Sequence, residues 1–329
     1  MNPALFNNIF TIADQNSFHM KMLEVFHYQA ENNLLYKEFI DYLHIDRNSV
    51  SSMTDFPFLP AEFFKNHKIV TGNNPVAMVF ESSGSTGISA SRHYVVDIEI
   101  YRESLIRTFR LFYGDPAEYF IAALLPSYTG RENSSLVYMV NNLIEISAFP
   151  HSGFYKNNIG EMLTNIETAR EKNRKILLIG VSFALLDLAE KYSPDLSDAI
   201  VMETGGMKGR RKEMVREELH SVLRKGLKVE KIHSEYGMTE LLSQAYSEDG
   251  GVFYCPQWMK ILIRDPQDPL SVISTPDRTG GINIIDLANI HSCSFISTGD
   301  LGKIHKDGGF EVLGRFDNSD IRGCNLLVE

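Results

Sequence analysis

Cysteine is scarce in this sequence of 329 residues, and the three cysteines present are far apart. Cys255, Cys293 and Cys324 have no Cys-x-x-Cys spacing, which argues against a disulfide framework and against a structural zinc site. Free, widely spaced cysteines are typical of proteins kept in a reducing compartment. We therefore expect a cytoplasmic protein.

Long apolar runs and an excess of positive charge are also missing. No apolar stretch approaches the roughly eighteen residues of a membrane span, and no secretory signal pattern begins the chain. The formal net charge of -10 argues against a general nucleic-acid or anionic-membrane surface. With 43% hydrophobic and 22% charged residues, the composition is typical of a globular protein that buries a sizeable core.

Strand-like and helix-like segments alternate through the middle of the chain, and this alternation predicts a mainly parallel sheet with helices packed on it. The strand-like runs are Tyr119–Leu125, Ile176–Ile179 and Ala199–Glu203, and the helix-like stretches are Asn158–Lys172, Phe183–Lys191 and Lys212–Lys225. Asp97 is expected to cap a further helix that runs to about Phe112.

Changes in residue composition and pattern along the sequence predict three parts of the chain. Residues 1–75 are mostly helical and are expected to pack on an α/β core formed by residues 76–250. Glycine and aspartate punctuate short segments after about residue 250, which predicts a small antiparallel β subdomain over residues 251–329. Its predicted strands are Met259–Arg264, Gly281–Asp286, Lys303–His305 and Gly309–Leu313.

A glycine- and hydroxyl-rich loop follows the short apolar strand Met78–Phe80. Glycine lets backbone N–H groups turn inward and the hydroxyls add donors, so the loop suits a polyphosphate. It is not a Walker A loop, because no Gly-Lys-Ser/Thr follows, and by itself such a cluster is equally compatible with a plain loop. The candidate phosphate-binding residues are Ser82, Ser83, Gly84, Ser85, Thr86 and Gly87.

The segment Glu235-Tyr236-Gly237-Met238-Thr239-Glu240 is the most specific motif in the chain. Tyr236, next to Gly237, offers a flat face for an adenine ring. Thr239 offers a hydroxyl for an α-phosphate, and Glu240 offers a hard oxygen ligand of the kind that Mg²⁺ takes. His233, two residues before the motif, is mainly a structural candidate that is also placed to line the same pocket.

Two further segments offer groups for a nucleotide. Thr298-Gly299-Asp300 is read as a tight turn followed by a carboxylate able to accept both ribose hydroxyls, although a lone Thr-Gly-Asp is a weak signal. Gly314-Arg315-Phe316-Asp317 is read as a turn with a guanidinium for ribose or phosphate and an aspartate at a hinge. Their order along the chain makes the two segments support each other.

In this order, these segments resemble those of the adenylate-forming enzymes, over the chain from about residue 55 to its end. Narrower features resemble the acyl-protein synthetases of bacterial bioluminescence, which are fatty-acid ligases for the luciferin component. These features are Phe58-Leu59-Pro60-x-x-Phe63-Phe64-Lys65, Leu124-Leu125-Pro126-Ser127-Tyr128 with Ser134-Ser135-Leu136-Val137-Tyr138-Met139, and Ile321-Arg322-Gly323-Cys324-Asn325-Leu326.

The resemblance implies an α/β large-domain core of layered helices and mainly parallel sheets. It also implies a two-step reaction in which ATP, with Mg²⁺, converts a fatty or other carboxylic acid into an acyl-adenylate, after which a cysteine takes the acyl group. Gly205-Gly206 resembles the turn on the adenine side of the site, and Cys324 is the implied acyl acceptor, which would pass the acyl group to a reductase, transferase or carrier protein. For Cys324, an unreactive residue in a terminal strand is the competing interpretation.

The sequence also departs from the resemblance. The lysine that often follows the phosphate loop is missing, and Arg92 and His93 are the nearest cationic candidates. The chain ends at Glu329, twelve residues after Asp317, so we expect the mobile C-terminal lid domain to be absent. Two alternatives stay open: an acyltransferase that uses Cys324 beside a vestigial nucleotide site, and a non-catalytic subunit that binds a partner enzyme.

Overall fold

A computed structural model describes residues 8–82, 90–125, 133–205 and 214–316. The helices in these ranges are α1 (Gln15–Asn32), α2 (Leu34–Tyr42), α3 (Phe63–Asn66), α4 (Ile98–Tyr113), α5 (Ser135–Ser147), α6 (Ile159–Glu171), α7 (Ser182–Lys191) and α8 (Arg216–Leu227). Short 3-10 turns cover Ile9–Thr11, Pro116–Glu118 and Leu287–Asn289. In the described residues, no helix has both the length and the apolar composition needed to cross a membrane.

The strands of the first half are β1 (Leu59–Pro60), β2 (Met78–Glu81), β3 (Arg92–Val95), β4 (Tyr119–Leu124), β5 (Gly153–Phe154), β6 (Lys175–Val181), β7 (Ala199–Thr204) and β8 (His233–Tyr236). Those of the second half are β9 (Ala245–Ser247), β10 (Val252–Phe253), β11 (Met259–Arg264), β12 (Val272–Ile273), β13 (Gly280–Asp286), β14 (Phe295–Ile304) and β15 (Phe310–Arg315).

A six-stranded sheet with the order β5-β4-β6-β7-β8-β9 forms the centre of the α/β core. All neighbours are parallel except β8 and β9. Strands β4 and β6 are apolar along almost their whole length and buried, as expected where helices cover both faces of a parallel sheet. The three predicted strands of this sheet are confirmed to within one or two residues at each end.

The helices that join these strands also follow the predicted pattern. Asp97 caps α4, with its carboxylate accepting a hydrogen bond of 3.0 Å from the backbone N–H of Glu99. The helix predicted from Lys212 instead begins at Arg216, because Val215 has an extended backbone; Lys212 itself lies outside the described residues.

A seven-stranded sheet occupies the C-terminal region, with the order β10-β15-β14-β13-β11-β12 and with β1 added beside β14. All these pairs are antiparallel except β1 with β14, so the predicted β-rich region is confirmed.

The predicted turn at Thr298-Gly299-Asp300 is wrong, because β14 continues through these residues. Asp300 pairs with Arg315 on β15, and the Thr298 hydroxyl donates a bond of 3.0 Å to the Ile282 carbonyl, at a shift in the register between β13 and β14. Gly314 and Arg315 likewise end strand β15.

The N-terminal helices pack against this second sheet. The buried Gln29 side chain donates to the carbonyl of Ile290 over 2.9 Å and accepts from the backbone N–H of Ser294 over 2.9 Å. Phe56 stacks on Phe295 at a centroid distance of 4.7 Å and meets Phe26 edge-on at 5.0 Å. These contacts tie the first helices to the last strands, while the division at residues 75 and 250 stays a prediction.

Candidate active site

A cleft of about 170 Å³ opens at the carboxyl ends of β7 and β8. Ligands of open parallel sheets bind at this edge, because loops diverge there and leave a crevice. Thr204 and Gly205 end β7 and line the cleft, and Gly237 and Thr239 line it from the segment after β8. Gly205 has a φ of 61°, which suits glycine, and its carbonyl accepts a bond of 2.9 Å from the Ser182 hydroxyl.

Buried side chains fix the backbone of the motif segment after β8. His93 Nδ1 lies 2.9 Å from the Thr239 carbonyl, and Asn289 Nδ2 donates to the Glu240 carbonyl over 2.7 Å. Burial lowers the pKa of His93 to about 4, so the ring is neutral at pH 7. The expectation that His93 supplies a cation is therefore wrong: the imidazole positions Thr239 instead.

Glu240 lies behind the cleft, with its side chain almost fully buried. Burial raises the pKa of its carboxyl, and a hydrogen bond from Ser91 and the nearby charge of Arg315 oppose that rise. Ser91 donates its backbone N–H to the Ser82 hydroxyl over 2.9 Å, and Ser82 donates its own N–H to the Ser91 carbonyl over 3.0 Å. Ser91 therefore contacts both the Glu240 carboxyl and Ser82, which lies at the base of the predicted phosphate-binding loop.

The second sheet brings a carboxylate and a guanidinium to the same region. Asp300 on β14 pairs with Arg315 on β15, and Arg315 Nε lies 3.3 Å from Asp300 Oδ1. The Tyr236 hydroxyl donates to Asp300 Oδ2 over 2.9 Å. Burial raises the pKa of Asp300, against the opposing effects of Tyr236 and Arg315. Each oxygen has a second lone pair, so Asp300 is still able to accept two hydroxyl hydrogen bonds.

The donor set near Glu240 is compatible with Mg²⁺. Among the described residues, no group of three or more histidine, cysteine or acidic side chains is arranged around a common point. Mg²⁺ is commonly held by one or two carboxylates, with phosphate oxygens and waters completing its shell. The buried Glu240 carboxylate, with the Thr239 residue beside it, fits that mode of binding and does not fit a cage made of protein ligands alone.

Glu235 is a buried acid that the sequence analysis left without a role. Its Oε2 accepts a hydrogen bond of 2.5 Å from the Thr204 hydroxyl across the β7–β8 pair. Burial raises the pKa of Glu235 to about 7, with Thr204 opposing and Glu203 adding to the rise. A Cβ at position 237 would lie closer than van der Waals contact to Glu235 Oε1, so a side chain there would force the Glu235 carboxyl to move. An acid at the end of a buried strand is the signal by which sequence reasoning identifies such a residue.

Gln244 and Tyr101 complete the inner wall of the cleft, and neither was singled out from the sequence. Tyr101 donates its hydroxyl proton to the Ser135 carbonyl over 3.0 Å. Gln244 Nε2 donates to that same tyrosine oxygen over 3.4 Å. Gln244 Oε1 is buried and has no hydrogen-bond partner among the described residues. Spacing gives no hint of this pair, because helix α4 and the segment before β9 contribute one residue each.

Several predicted site residues are not brought to the cleft by the described structure. His233 lies at the start of β8, 3.3 Å from the Tyr113 hydroxyl, and is not among the residues that line the cleft. Arg92 is exposed and pairs with Glu81 at 3.3 Å. Ser82, Tyr236, Glu240, Asp300 and Arg315 are also not among the residues that line the cleft. The other candidates lie outside the described residues: Ser83, Gly84, Ser85, Thr86, Gly87, Gly206 and Cys324.

The raised pKa of Glu235 gives a testable pH dependence of stability. The ordinary value is 4.5 and the folded value is about 7, so the protonated acid is favoured in the folded state. The contribution of Glu235 to the free energy of unfolding is complete below pH 4.5. It is lost as the pH rises through 7, and the total loss is about 3 kcal/mol. We expect Glu235→Gln, which cannot ionise, to gain stability relative to the wild type between pH 5 and pH 8 by that order.

Urea unfolding at a series of pH values measures this difference. Asp286 is also buried with a pKa raised to about 6, but it titrates in both proteins and cancels in the comparison. Glu230→Gln, at an exposed position, is the matched control and should follow the wild type. Parallel curves for the wild type and Glu235→Gln would contradict the assignment of a raised pKa to Glu235.

Comparison with known proteins shows the fold. No protein-family model and no curated protein sequence matches this chain. The structure is similar to ATP-bound MatB from Rhodopseudomonas palustris, with a TM-score of 0.54 and 15% identity over 74% of this chain and 49% of that one. It is also similar to the luciferase-like enzyme from the nonluminescent Zophobas morio mealworm, with a TM-score of 0.53 and 16% identity over 77% of this chain and 61% of that one.

The chain thus spans about half the length of MatB and about three fifths of the luciferase-like enzyme. At this level of identity the similarity shows the fold alone. The α/β architecture predicted from the sequence is confirmed: this chain shares its fold with these two enzymes over about three quarters of its length.

Proposed function

We propose that this protein uses ATP to activate a carboxylic acid as an acyl-adenylate, with release of pyrophosphate. The observation that carries the proposal is the meeting of Tyr236, Asp300 and Arg315 beside the buried Glu240. Aromatic, ribose-accepting, cationic and metal-binding groups are the set that a Mg-nucleotide requires. Two sheets contribute them, so their proximity is a property of the fold rather than of one local motif.

The proposed chemistry requires little covalent work by the protein. An oxygen of the substrate carboxylate attacks the α-phosphorus of ATP, the bond from that phosphorus to the bridging oxygen breaks, and pyrophosphate leaves. Catalysis is then positioning together with neutralisation of the growing charge. Mg²⁺, when held by Glu240, would supply positive charge to the polyphosphate.

Each predicted residue has a role in this proposal. Asp300 accepts the ribose hydroxyls, and the Tyr236 ring lies beside the adenine. Arg315 donates to ribose or phosphate, and Thr239, held by His93, donates its hydroxyl to the α-phosphate. The remaining roles belong to the phosphate-binding loop and the adenine-side turn, which are Ser82 to Gly87 and Gly205-Gly206.

The finer part of the proposal is transfer of the acyl group to a protein thiol, as in acyl-protein synthetases. Cys255 and Cys293 are poor candidates, because burial raises the pKa of both thiols, that of Cys293 to about 12. Cys324 next to Arg322 is the remaining cysteine of the chain. A thioester there would pass the acyl group to a reductase, transferase or carrier protein.

The ribose contact is tested by calorimetry with Mg-ATP. Asp300→Ala removes two charge-assisted hydrogen bonds, so we expect the affinity to fall by about 1.5–3 kcal/mol. Asp307→Ala is the matched control, since Asp307 lies on the exposed turn between β14 and β15 and contacts Tyr254 at 2.8 Å. Equal affinities for the wild type and Asp300→Ala would remove Asp300 from the nucleotide site.

The metal contact is tested by ATP–pyrophosphate exchange over a panel of carboxylic acids. Glu240→Gln keeps the size of the side chain but loses its charge and replaces one acceptor oxygen with an NH₂ donor, so we expect exchange to be abolished with an unchanged circular dichroism spectrum. The exposed Glu230→Gln should exchange like the wild type. Unchanged turnover by Glu240→Gln would assign Glu240 to structure alone.

Thiol transfer is tested by incubation with Mg-ATP and a labelled acid, either a fatty acid or any acid active in exchange. We expect a label that hydroxylamine releases, that Cys324→Ser lacks, and that Cys255→Ser and Cys293→Ser retain. A label that persists in Cys324→Ser, or an acyl-adenylate that forms without any labelled protein, would place the acceptor elsewhere.

A further inference from the structure

The lining of the cleft at the ends of β7 and β8 is more polar than a site for an alkyl chain requires. Acid, amide and hydroxyl side chains lie on its walls, among them Glu81, Ser134, Glu235 and Gln244. Among the described lining residues there is no lysine, arginine or histidine. An alkyl chain in this cleft would offer no partner to the unpaired polar atoms of the lining, and an unpaired buried polar group costs about 1–3 kcal/mol.

The orientation of the Gln244 amide shows which kind of group is missing. Tyr101 gives its single proton to the Ser135 carbonyl at 3.0 Å, so its oxygen faces Gln244 as an acceptor. Gln244 therefore turns its NH₂ group toward Tyr101, at 3.4 Å, and its Oε1 away from it. That oxygen is buried and has no partner among the described residues, and Gln244 is one of the residues that line the cleft. Gln244 Oε1 is therefore an acceptor that lacks a hydrogen-bond donor.

Glu235 offers a second acceptor on the same wall. The Thr204 hydroxyl occupies Oε2, whereas Oε1 lies against the backbone of Gly237. Gln244 is also close to Gly237, because a Cβ built there would lie 3.5 Å from Gln244 Cγ. Gly237 thus lies close to the side chains of both Glu235 and Gln244.

We propose that this cleft binds the acid substrate through a hydroxyl or ammonium group that donates to Gln244 Oε1 and to the Glu235 carboxyl. The substrate class is a small hydroxy- or amino-carboxylic acid, in place of the fatty acid that the sequence resemblance implies. This inference rests on the proposed adenylation, since it identifies the acid that is activated. A cleft of about 170 Å³ is small beside the roughly 300–1,000 Å³ of drug-sized ligand sites.

The test compares acids that differ in a single group. The probes are β- and γ-hydroxybutyrate, β- and γ-aminobutyrate, the alkyl acids isovalerate and pentanoate, and palmitate. Calorimetry measures binding of each acid, alone and with an ATP analogue that cannot be cleaved at the α-phosphate, and ATP–pyrophosphate exchange measures activation. Comparing the hydroxybutyrates with the aminobutyrates identifies whether the site binds a hydroxyl or an ammonium group.

We expect at least one hydroxy or amino acid to bind about tenfold or more tightly than its matched alkyl acid. Gln244→Leu should bring the ratio of the two affinities, that of the hydroxy or amino acid to that of the matched alkyl acid, close to one. Gln244→Met, which keeps the length of the side chain, should do the same if the leucine variant folds poorly. Gln267→Leu makes the same change at an exposed position and should leave the ratio as in the wild type.

The outcomes separate this inference from the proposed function. Exchange that is driven best by alkyl acids or palmitate would overturn the inference and leave adenylation standing. Selective binding of a hydroxy or amino acid, dependent on Gln244 but without any exchange, would support the inference and overturn adenylation. Equal binding of all acids, no binding of any, or a ratio that survives both Gln244 variants would overturn the inference.

Discussion

The carboxylate of Asp286 is the interaction on which the geometry of the candidate site depends. It is fully buried and accepts from the backbone N–H of Leu242 at 2.8 Å, from the Ser243 hydroxyl at 2.6 Å and from the N–H of Ala288 at 3.1 Å. These bonds join the segment after β8 to the end of β13, and so join the two sheets. A buried acceptor set of this kind is costly to leave incomplete, because each group that it pairs with would lose water without replacement.

The junction matters because neither sheet carries a complete site. Tyr236 ends β8 of the first sheet and Glu240 follows it, whereas Asp300 and Arg315 lie on β14 and β15 of the second. The hydroxyl-to-carboxylate bond from Tyr236 to Asp300 closes the gap between them at 2.9 Å. The net charge of -10 therefore says little about the site, where buried acids and arginines offset one another locally.

Sequence reasoning succeeded where the signal was local. The apolar strand Met259–Arg264 and the cap at Asp97 follow from neighbouring residues alone, and both are as predicted. It failed where contacts with residues distant in sequence determine the conformation. Gly299 and Asp300 resemble a turn in sequence, but they lie on β14, which pairs with β13 and β15. His93 looks like a cation until burial makes it neutral. The spare acceptor on Gln244 depends on Tyr101, which is 143 residues away, and no local pattern contains that information.

The pairing of β1 with β14 has a consequence for the order in which the chain folds. Leu59 pairs with Ile296, and the Gln29 amide bonds to the Ser294 hydroxyl across a separation of 265 residues. Contacts this distant in sequence slow folding, because a long loop must close before they form. During synthesis α1 and α2 are made long before β14, so their apolar faces wait for the sheet that they pack against. Until β14 is made, these helices therefore expose apolar surface of the kind that promotes aggregation.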